Sequence, residues 1–154
     1  MNFAYYVSGF VDGEGCFSIS FNFRKKLKTG IEVRPSFAIG QNKRNLDVLK
    51  KIQNFFGCGN LRFSKKDQCY KYEVRNIKDL RKEIIPHFDK FPLQTAKKND
   101  FVIFSEICEK ISQSKHRNKK HLEEIIKLAF QMNISGKRKH NQAELLTALN
   151  KMKI

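Results

Sequence analysis

Two carboxylates near the start of the chain, Asp12 and Glu14, stand among three glycines at the end of an amphipathic segment. The apolar residues of that segment recur three or four positions apart, as on one face of a helix: Phe3, Tyr6, Val7, Phe10 and Val11. A helix C-terminus carries a partial negative charge, so carboxylates placed there need a compensating positive group. A divalent metal ion is the obvious candidate, and the pair therefore indicates metal-dependent chemistry.

The same segment has a second face made of small residues, namely Ala4, Ser8, Gly9 and Gly13. A glycine in a helix interior costs roughly 1 kcal/mol relative to alanine. Two glycines four residues apart therefore need a structural reason, and close approach of another helix backbone supplies one.

After Gly15 the apolar period changes from a helical spacing to a strict alternation, which predicts strands. Phe17–Phe23 and the stretch 31–39 form the first pair, with Pro35 marking a strand start, a bulge or an edge. A helix is predicted at Leu46–Phe56 and ends at Gly57. Two short strands follow, joined by a turn at 65–68.

The remainder of the chain has helical patterns. A helix begins near Lys78 and is kinked or broken by Pro86. Another helix carries Phe101–Ile111, a basic loop follows at 112–120, and two packing helices are predicted at Leu122–Met132 and Gln142–Lys153. The sequence therefore predicts an α+β fold in a single domain, 1–154.

The segment Val7-Ser8-Gly9-Phe10-Val11-Asp12-Gly13-Glu14-Gly15 closely resembles the LAGLIDADG motif of homing endonucleases. This resemblance implies an αββαββα half-domain with a curved antiparallel four-stranded sheet and extra C-terminal helices. It also implies site-specific, metal-dependent cleavage of double-stranded DNA. Glu14 takes the place of the metal-binding carboxylate, with Gly13 beside it and Mg²⁺ as the expected ion, although the family more often has Asp there.

In the family, motif helices of two subunits or two repeats pack against each other. Because only one motif is present, the resemblance implies a homodimer on a long pseudo-palindromic target. The predicted interface consists of Ser8, Gly9, Asp12 and Gly13. Asp12 is also expected to tie down the helix end.

The resemblance further implies a polar and basic pocket around the metal. Gln41 fits the glutamine that ends the second strand, and Lys43 or Arg44 fits a nearby basic residue. Lys97 or Lys98 fits the active-site lysine, and the spacing does not choose between them.

Charge indicates a polyanionic partner, because the chain has 31 Lys and Arg against 15 Asp and Glu, a net charge of +16. The outward sheet residues have the types that contact phosphates and base edges, although a solvated sheet face would also be polar. The predicted DNA-binding residues are Ser18, Ser20, Asn22, Arg24, Lys26, Lys28, Glu32, Arg34, Ser36, Lys43, Arg44, Arg62, Ser64, Lys71, Glu73 and Arg75.

Two other functions are compatible with a basic sheet protein. One is an intron RNA maturase on the same scaffold, and the other is a DNA-binding repressor, which leaves Asp12 and Glu14 unexplained. The chain is rich in Phe, Lys, Asn and Ile. This composition favours an origin in the AT-rich genome of an organelle, a chloroplast or mitochondrion. No membrane-spanning segment is expected, because no apolar run approaches about 18 residues.

Overall fold

The computed structural model describes residues 1–153, so only the last residue of the predicted domain lies outside the described part. The helices are α1 (Phe3–Glu14), α2 (Leu46–Phe56), α3 (Ile77–Asp79), α4 (Ile85–Lys90), α5 (Lys97–Ser112), α6 (Lys119–Ala129) and α7 (Gln142–Asn150). The strands are β1 (Gly15–Phe23), β2 (Ile31–Asn42), β3 (Asn60–Ser64) and β4 (Cys69–Val74). None of the helices between residues 1 and 153 is long and apolar enough to cross a bilayer.

The four strands form one antiparallel sheet in the order β1-β2-β4-β3, which confirms the predicted α+β class. Strand β4 pairs with β2 from Phe37↔Val74 to Asn42↔Cys69 and with β3 from Asn60↔Glu73 to Ser64↔Cys69. Strand β2 continues through Pro35, which precedes the first residue paired with β4. The missing N–H of this proline is therefore tolerated, as expected for a locally unpaired strand side.

The chain divides into two compact units, each with its own core. One unit consists of Met1–Phe17 and Ser36–Lys98, and its core is an aromatic cluster of Phe17, Phe37, Phe56 and Phe88. The other consists of Ser18–Pro35 and the chain from Asn99 onward. Its buried residues include Phe104, Ile107, Leu122, Ile125, Ile126, Leu145 and Leu149.

The buried face of helix α1 is shifted relative to the predicted apolar face and shares only Val7 and Val11 with it. The buried positions are Ala4, Val7, Ser8 and Val11. Phe3, Tyr6 and Phe10 are only half-buried and stack on one another along the helix. Small residues face the core because they allow close packing, so half of the predicted small face serves the subunit itself.

Ser8, one of the four predicted interface residues, is 5% exposed in the single chain. Its hydroxyl donates to the carbonyl of Phe91 at 2.7 Å and lies 3.1 Å from Nε2 of His87. A hydroxyl has one hydrogen to donate, so Nε2 of His87 carries the hydrogen of the second bond. These two bonds anchor α1 to the end of α4.

The helical run 77–90 widens just before Pro86. Between α3 and α4 lies a π-helical turn, Leu80–Ile84, in which the N–H of Ile85 donates to the carbonyl of Leu80. A proline ring clashes with the carbonyl four residues earlier, and the wider turn relieves that clash. The predicted break at Pro86 is thus realised as a local widening.

Two glycines after α2 have backbone conformations that other residues rarely adopt. Gly57 caps α2 with φ +71° and Gly59 has φ +87°. A Cβ on Gly57 would meet no atom within 4 Å, but one on Gly59 would lie 2.6 Å from a ring carbon of Tyr72 and 2.9 Å from the carbonyl oxygen of Glu73.

We expect Gly59→Ala to destabilise the protein more than Gly57→Ala. Both substitutions incur left-handed strain of about 1–2 kcal/mol. Gly59→Ala adds overpacking against Tyr72, for a total loss of about 3 kcal/mol or more in the free energy of unfolding. Urea denaturation of both variants measures the difference, and equal losses would contradict the close packing at Gly59.

The buried histidine makes stability depend on pH. His87 is 8% exposed, and burial lowers its pKa from 6.5 to about 4. As the pH falls between these two values, the unfolded chain binds a proton that the folded chain resists. The free energy of unfolding should therefore fall, by about 3 kcal/mol at most.

The measurement is urea unfolding of the wild type and of His87→Gln between about pH 7 and pH 4. The variant should lose this part of the pH dependence, because glutamine does not titrate. His121→Gln is the control, since the side chain of His121 is 37% exposed. A wild-type slope that survives in His87→Gln would assign the effect to other groups.

Candidate functional site

A lysine caps the C-terminal end of α1. The ammonium of Lys97 donates to the carbonyl oxygens of Val11 at 2.8 Å and of Asp12 at 3.0 Å. Both carbonyls belong to the last turn, where the helix runs out of its own N–H donors. The carbonyl of Val11 also accepts from the backbone N–H of Gly15. The positive group expected beside the two carboxylates is therefore supplied, at least in part, by the protein itself.

The carboxylate of Asp12 ties the same helix end to the segment before α5. It accepts hydrogen bonds from the backbone N–H groups of Gln94 at 2.8 Å and Thr95 at 3.1 Å, and from the Thr95 hydroxyl at 2.7 Å. Partial burial raises the pKa of Asp12, but these hydrogen bonds and the charge of Lys97 outweigh it and lower the pKa overall. The predicted tying role of Asp12 has this geometric basis, and its carboxylate is engaged within the subunit.

Glu14 lies exposed at the last position of α1. Among residues 1–153, no group makes a hydrogen bond or an ion pair with its carboxylate. An exposed and unpaired carboxylate fits a hard divalent ion, which commonly takes one or two carboxylates and completes its shell with other oxygens. Gly13 is exposed beside it. No group of three His, Cys, Asp or Glu side chains able to hold a metal occurs in the described chain.

The two lysine candidates differ in position. Lys97 is half-buried against α1, whereas Lys98 is exposed and contributes only a backbone N–H bond to Thr95 within the described part of the chain. The geometry therefore brings Lys97, and not Lys98, to the motif.

The other pocket candidates lie where β2 ends. Gln41 accepts a hydrogen bond from the side-chain amide of Asn45 at 2.9 Å. The ammonium of Lys43 donates to the side chain of Gln68 at 3.0 Å, so Lys43 braces the β3–β4 turn. Arg44 is exposed on the single 3₁₀ turn that leads into α2.

One side of α1 remains open. Tyr5, Gly9 and Gly13 are spaced four residues apart and all three are exposed, with Tyr5 at 65%. A Cβ placed on Gly9 or Gly13 would meet no atom within 4 Å. Of the four predicted interface residues, the two glycines thus face free space within the subunit.

Glu32 is bracketed by two arginines on the polar face of the β1–β2 hairpin. Its carboxylate lies 3.3 Å from Arg24 and 3.6 Å from Arg34. The hydroxyl of Ser20 donates to the carbonyl of Arg34 at 3.4 Å. Exposed ion pairs contribute little stability, about 0–1 kcal/mol each, but they restrict where the guanidinium groups lie.

Glu73 has a similar arrangement on β4, with Lys71 at 3.2 Å and Arg75 at 4.0 Å. Ser36 is 7% exposed, and its hydroxyl donates to Glu73 at 2.5 Å. Burial raises the pKa of Glu73, but the bond from Ser36 and the neighbouring cations lower it overall. Ser36, one of the predicted DNA-binding residues, is therefore nearly buried and holds the carboxylate of Glu73 from the buried side of the sheet.

The remaining predicted DNA-binding residues are at least partly accessible. Ser18 and Asn22 are half-buried on β1. The exposed ones are Lys26, Lys28, Arg62 and Ser64.

Sequence reasoning missed Gln94, Thr95 and His87. A threonine just before a helix is an N-cap signal, and Thr95 does accept from the N–H of Lys97 at 3.3 Å. That signal gives no hint of its second partner, Asp12, which is 83 positions away. The partnership of His87 with Ser8 has no local signature either.

Solved structures of homing endonucleases resemble this chain over most of its length. The crystal structure of I-TnaI is 35% identical, covers 97% of each chain and has a TM-score of 0.84. The archaeal intron-encoded homing endonuclease I-Vdi141I in complex with DNA is 28% identical, with 97% and 95% coverage and a TM-score of 0.89. I-SmaMI, bound to uncleaved DNA in the presence of calcium ions, is 30% identical over 96% of this chain and 49% of that one, with a TM-score of 0.86.

Fungal relatives are similar over part of their own length. The probable intron-encoded endonuclease 2 of Neurospora crassa is 32% identical over 129 residues, which are 83% of this chain and 28% of the relative. A protein in ND4 intron 1 of Podospora anserina is 32% identical over 117 residues, which are 75% and 26%. The chain thus spans about a quarter of the length of such relatives.

A family model, described as LAGLIDADG endonuclease, matches residues 7–108. That range begins within α1, ends within α5 and contains Asp12, Glu14, Gln41 and Lys97. With this match over more than half of its length, the chain belongs to the LAGLIDADG endonuclease family.

Proposed function

We propose that this protein is a site-specific DNA endonuclease of the homing type that cleaves both strands of its target in a metal-dependent reaction. One observation carries the proposal: the unpaired carboxylate of Glu14 directly follows a helix turn that Lys97 and Asp12 hold in place. The family membership and the basic charge of the chain support it.

Glu14, with the backbone of Gly13, is the proposed ligand site for Mg²⁺. A bound divalent ion supplies Lewis-acid stabilisation of the phosphoryl oxygens and a lowered pKa for water. The protein's own part is positional. The Lys97 and Asp12 contacts fix the last turn of α1, so the carboxylate of Glu14 needs little reorganisation to accept its ligand.

Gln41 and Lys97 are proposed to complete the reaction centre. The amide oxygen of Gln41 is held by Asn45, which leaves its NH₂ group to orient a water molecule or a phosphate oxygen. The charge of Lys97 stabilises negative charge near the helix end, although its ammonium is already bonded to two carbonyls. We therefore assign Lys97 mainly to positioning and electrostatics, and leave Lys98 as a phosphate contact.

A homodimer is the proposed functional assembly, with a pseudo-palindromic DNA target. Two copies bring two Glu14 carboxylates to the scissile phosphates, which fits the usual ligand needs of a divalent ion better than one carboxylate does. The open side of α1 at Gly9 and Gly13 supports this assembly, because two helices can approach closely where no side chain intervenes.

DNA recognition is assigned to the polar face of the sheet. The cations there, Arg24, Arg34, Lys71 and Arg75, are oriented by Glu32 and Glu73 before DNA arrives. Pre-oriented side chains lose less conformational entropy on binding.

We extend the proposal to an intron-encoded origin in an organelle, which the names of the fungal relatives support.

The first test is the substitution Glu14→Gln, which keeps the shape of the side chain and removes its charge. We expect cleavage in Mg²⁺ to fall by about 100-fold or more, since loss of a group that merely supports a metal ligand already costs about 10- to 100-fold. DNA affinity in Ca²⁺ should stay within about threefold of wild type, because phosphate contacts dominate it. The assay uses plasmids that carry intron-junction or randomised inserts.

Glu106→Gln is the matched control, because Glu106 is an exposed glutamate on α5. It should cleave like the wild type. If Glu14→Gln cuts at the wild-type rate, Glu14 is not the metal ligand. A wild-type protein that binds intron RNA and never cuts DNA would favour the maturase instead.

The second test is Gly9→Leu, directed at the dimer. Since a Cβ at position 9 would have no atom of the same chain within 4 Å, the variant should fold as well as the wild type. It should sediment as a monomer and lose both cleavage and tight DNA binding. Analytical ultracentrifugation gives the oligomeric state, and Gly9→Ala serves as the milder comparison. An active dimeric Gly9→Leu variant would rule out this helix face as the interface.

A further inference from the structure

A basic cleft occurs in the unit that contains the β1–β2 hairpin and the C-terminal helices. Its volume is about 490 Å³, and it is lined by Lys28, Arg117, Asn118, Lys119, Lys120 and Glu123. Lys28 belongs to the turn between β1 and β2, and the others come from the connection between α5 and α6 and the first turns of α6. Four of the six lining residues are cations.

Three of those cations are not neutralised by the protein. Among residues 1–153, the side chains of Lys28, Arg117 and Lys120 make no hydrogen bond or ion pair, and all three are exposed. The ammonium of Lys119, in contrast, donates to the carbonyls of Asn150 and Met152 at 3.4 Å. The cleft therefore has unpaired positive charge on both of its walls.

The one carboxylate of the cleft does not cancel this charge. Glu123 lies 2.8 Å from Lys127, and its pKa is lowered first by the hydrogen bond from Lys127 and then by the charge of that lysine. Glu123 thus remains ionised and already has its own counter-charge. The net charge of the unpaired side chains in the cleft is therefore positive.

The wall formed by the chain before α6 has a defined local structure. Residues Lys115–Arg117 form a 3₁₀ turn, and the side chain of Asn118 caps α6 by accepting from the N–H of His121 at 3.2 Å. The first turn of α6 contains no acidic residue. The positive end of the helix dipole therefore adds to the charge of the lysines and the arginine around it.

We propose that this cleft binds a backbone phosphate of the DNA duplex, as a contact additional to those of the sheet face. Like charges held together without a counter-ion favour binding of an anion, and a phosphodiester matches the bidentate geometry of Arg117. Lys28 shares the β1–β2 turn with Lys26, so the cleft continues the predicted DNA surface within one unit. The inference rests on the proposed function, because it takes duplex DNA as the ligand.

The test compares two double variants of the full chain that each remove two positive charges. Arg117→Ala/Lys120→Ala alters the cleft, and Lys78→Ala/Lys82→Ala removes exposed lysines of the other unit. Affinity for a duplex of about 40 base pairs is measured in Ca²⁺ from roughly 50 to 200 mM KCl. Far-ultraviolet circular dichroism checks that both variants fold.

We expect the cleft variant to lose about 5- to 10-fold in affinity at the low-salt end. The slope of log K against log salt should fall by about one, which corresponds to one phosphate contact. The control variant should keep the wild-type slope. Arg117→Lys alone should retain it as well, since the charge is preserved.

Each other result overturns the inference in a distinguishable way. If the wild type binds DNA and both double variants have the same slope, the cleft makes no phosphate contact and the proposed function stands. If the wild type has no salt-dependent affinity for DNA, the proposed function fails as well. If the cleft variant loses affinity for a structured RNA and not for duplex DNA, the ligand is RNA.

Discussion

The clamp on the C-terminal end of α1 is the interaction on which the candidate site depends. Lys97 holds two carbonyls of the last turn from 85 and 86 positions away in sequence. The carboxylate of Asp12 in turn accepts hydrogen bonds from the backbone N–H groups of residues 94 and 95. A negative helix end that carries two carboxylates is thus neutralised by one lysine and several N–H donors. Glu14 is left as the acidic group of the motif without a partner among residues 1–153.

Helix α1 has one side that packs in the core and another that is exposed. The side with Ala4, Val7, Ser8 and Val11 is buried, and Ser8 adds a hydrogen-bonded link to His87 and Phe91. On the side with Gly9 and Gly13, a Cβ at either glycine would have no atom of the same chain within 4 Å. Small residues therefore have two different structural roles in one motif. Some allow close packing inside the chain, and others leave space on its surface.

On the polar sheet face, ion pairs with glutamates hold the basic side chains in place. Each of its two central glutamates holds two cations, and Ser36 holds Glu73 from the buried side. In the proposed role of this face as the DNA-binding surface, its acidic residues would lower its attraction for phosphates in general. They also restrict where the basic groups point, and fixed donors discriminate between base edges better than mobile ones.

The element order, the bounds of helix α2, the Gly57 cap and the family could all be predicted from the sequence, because these depend on local period, turn chemistry and one compact motif. The sequence also singled out the two acidic residues. It did not separate Lys97 from Lys98, and it gave no sign that Ser8 and Ser36 are buried and hydrogen-bonded to distant residues. Those outcomes depend on contacts between residues about 40 to 85 positions apart, such as Lys97 with Asp12, Ser8 with His87 and Ser36 with Glu73. Which polar side chains are hydrogen-bonded within the chain became visible only in the folded structure, because burial and partner geometry arise when distant segments pack together.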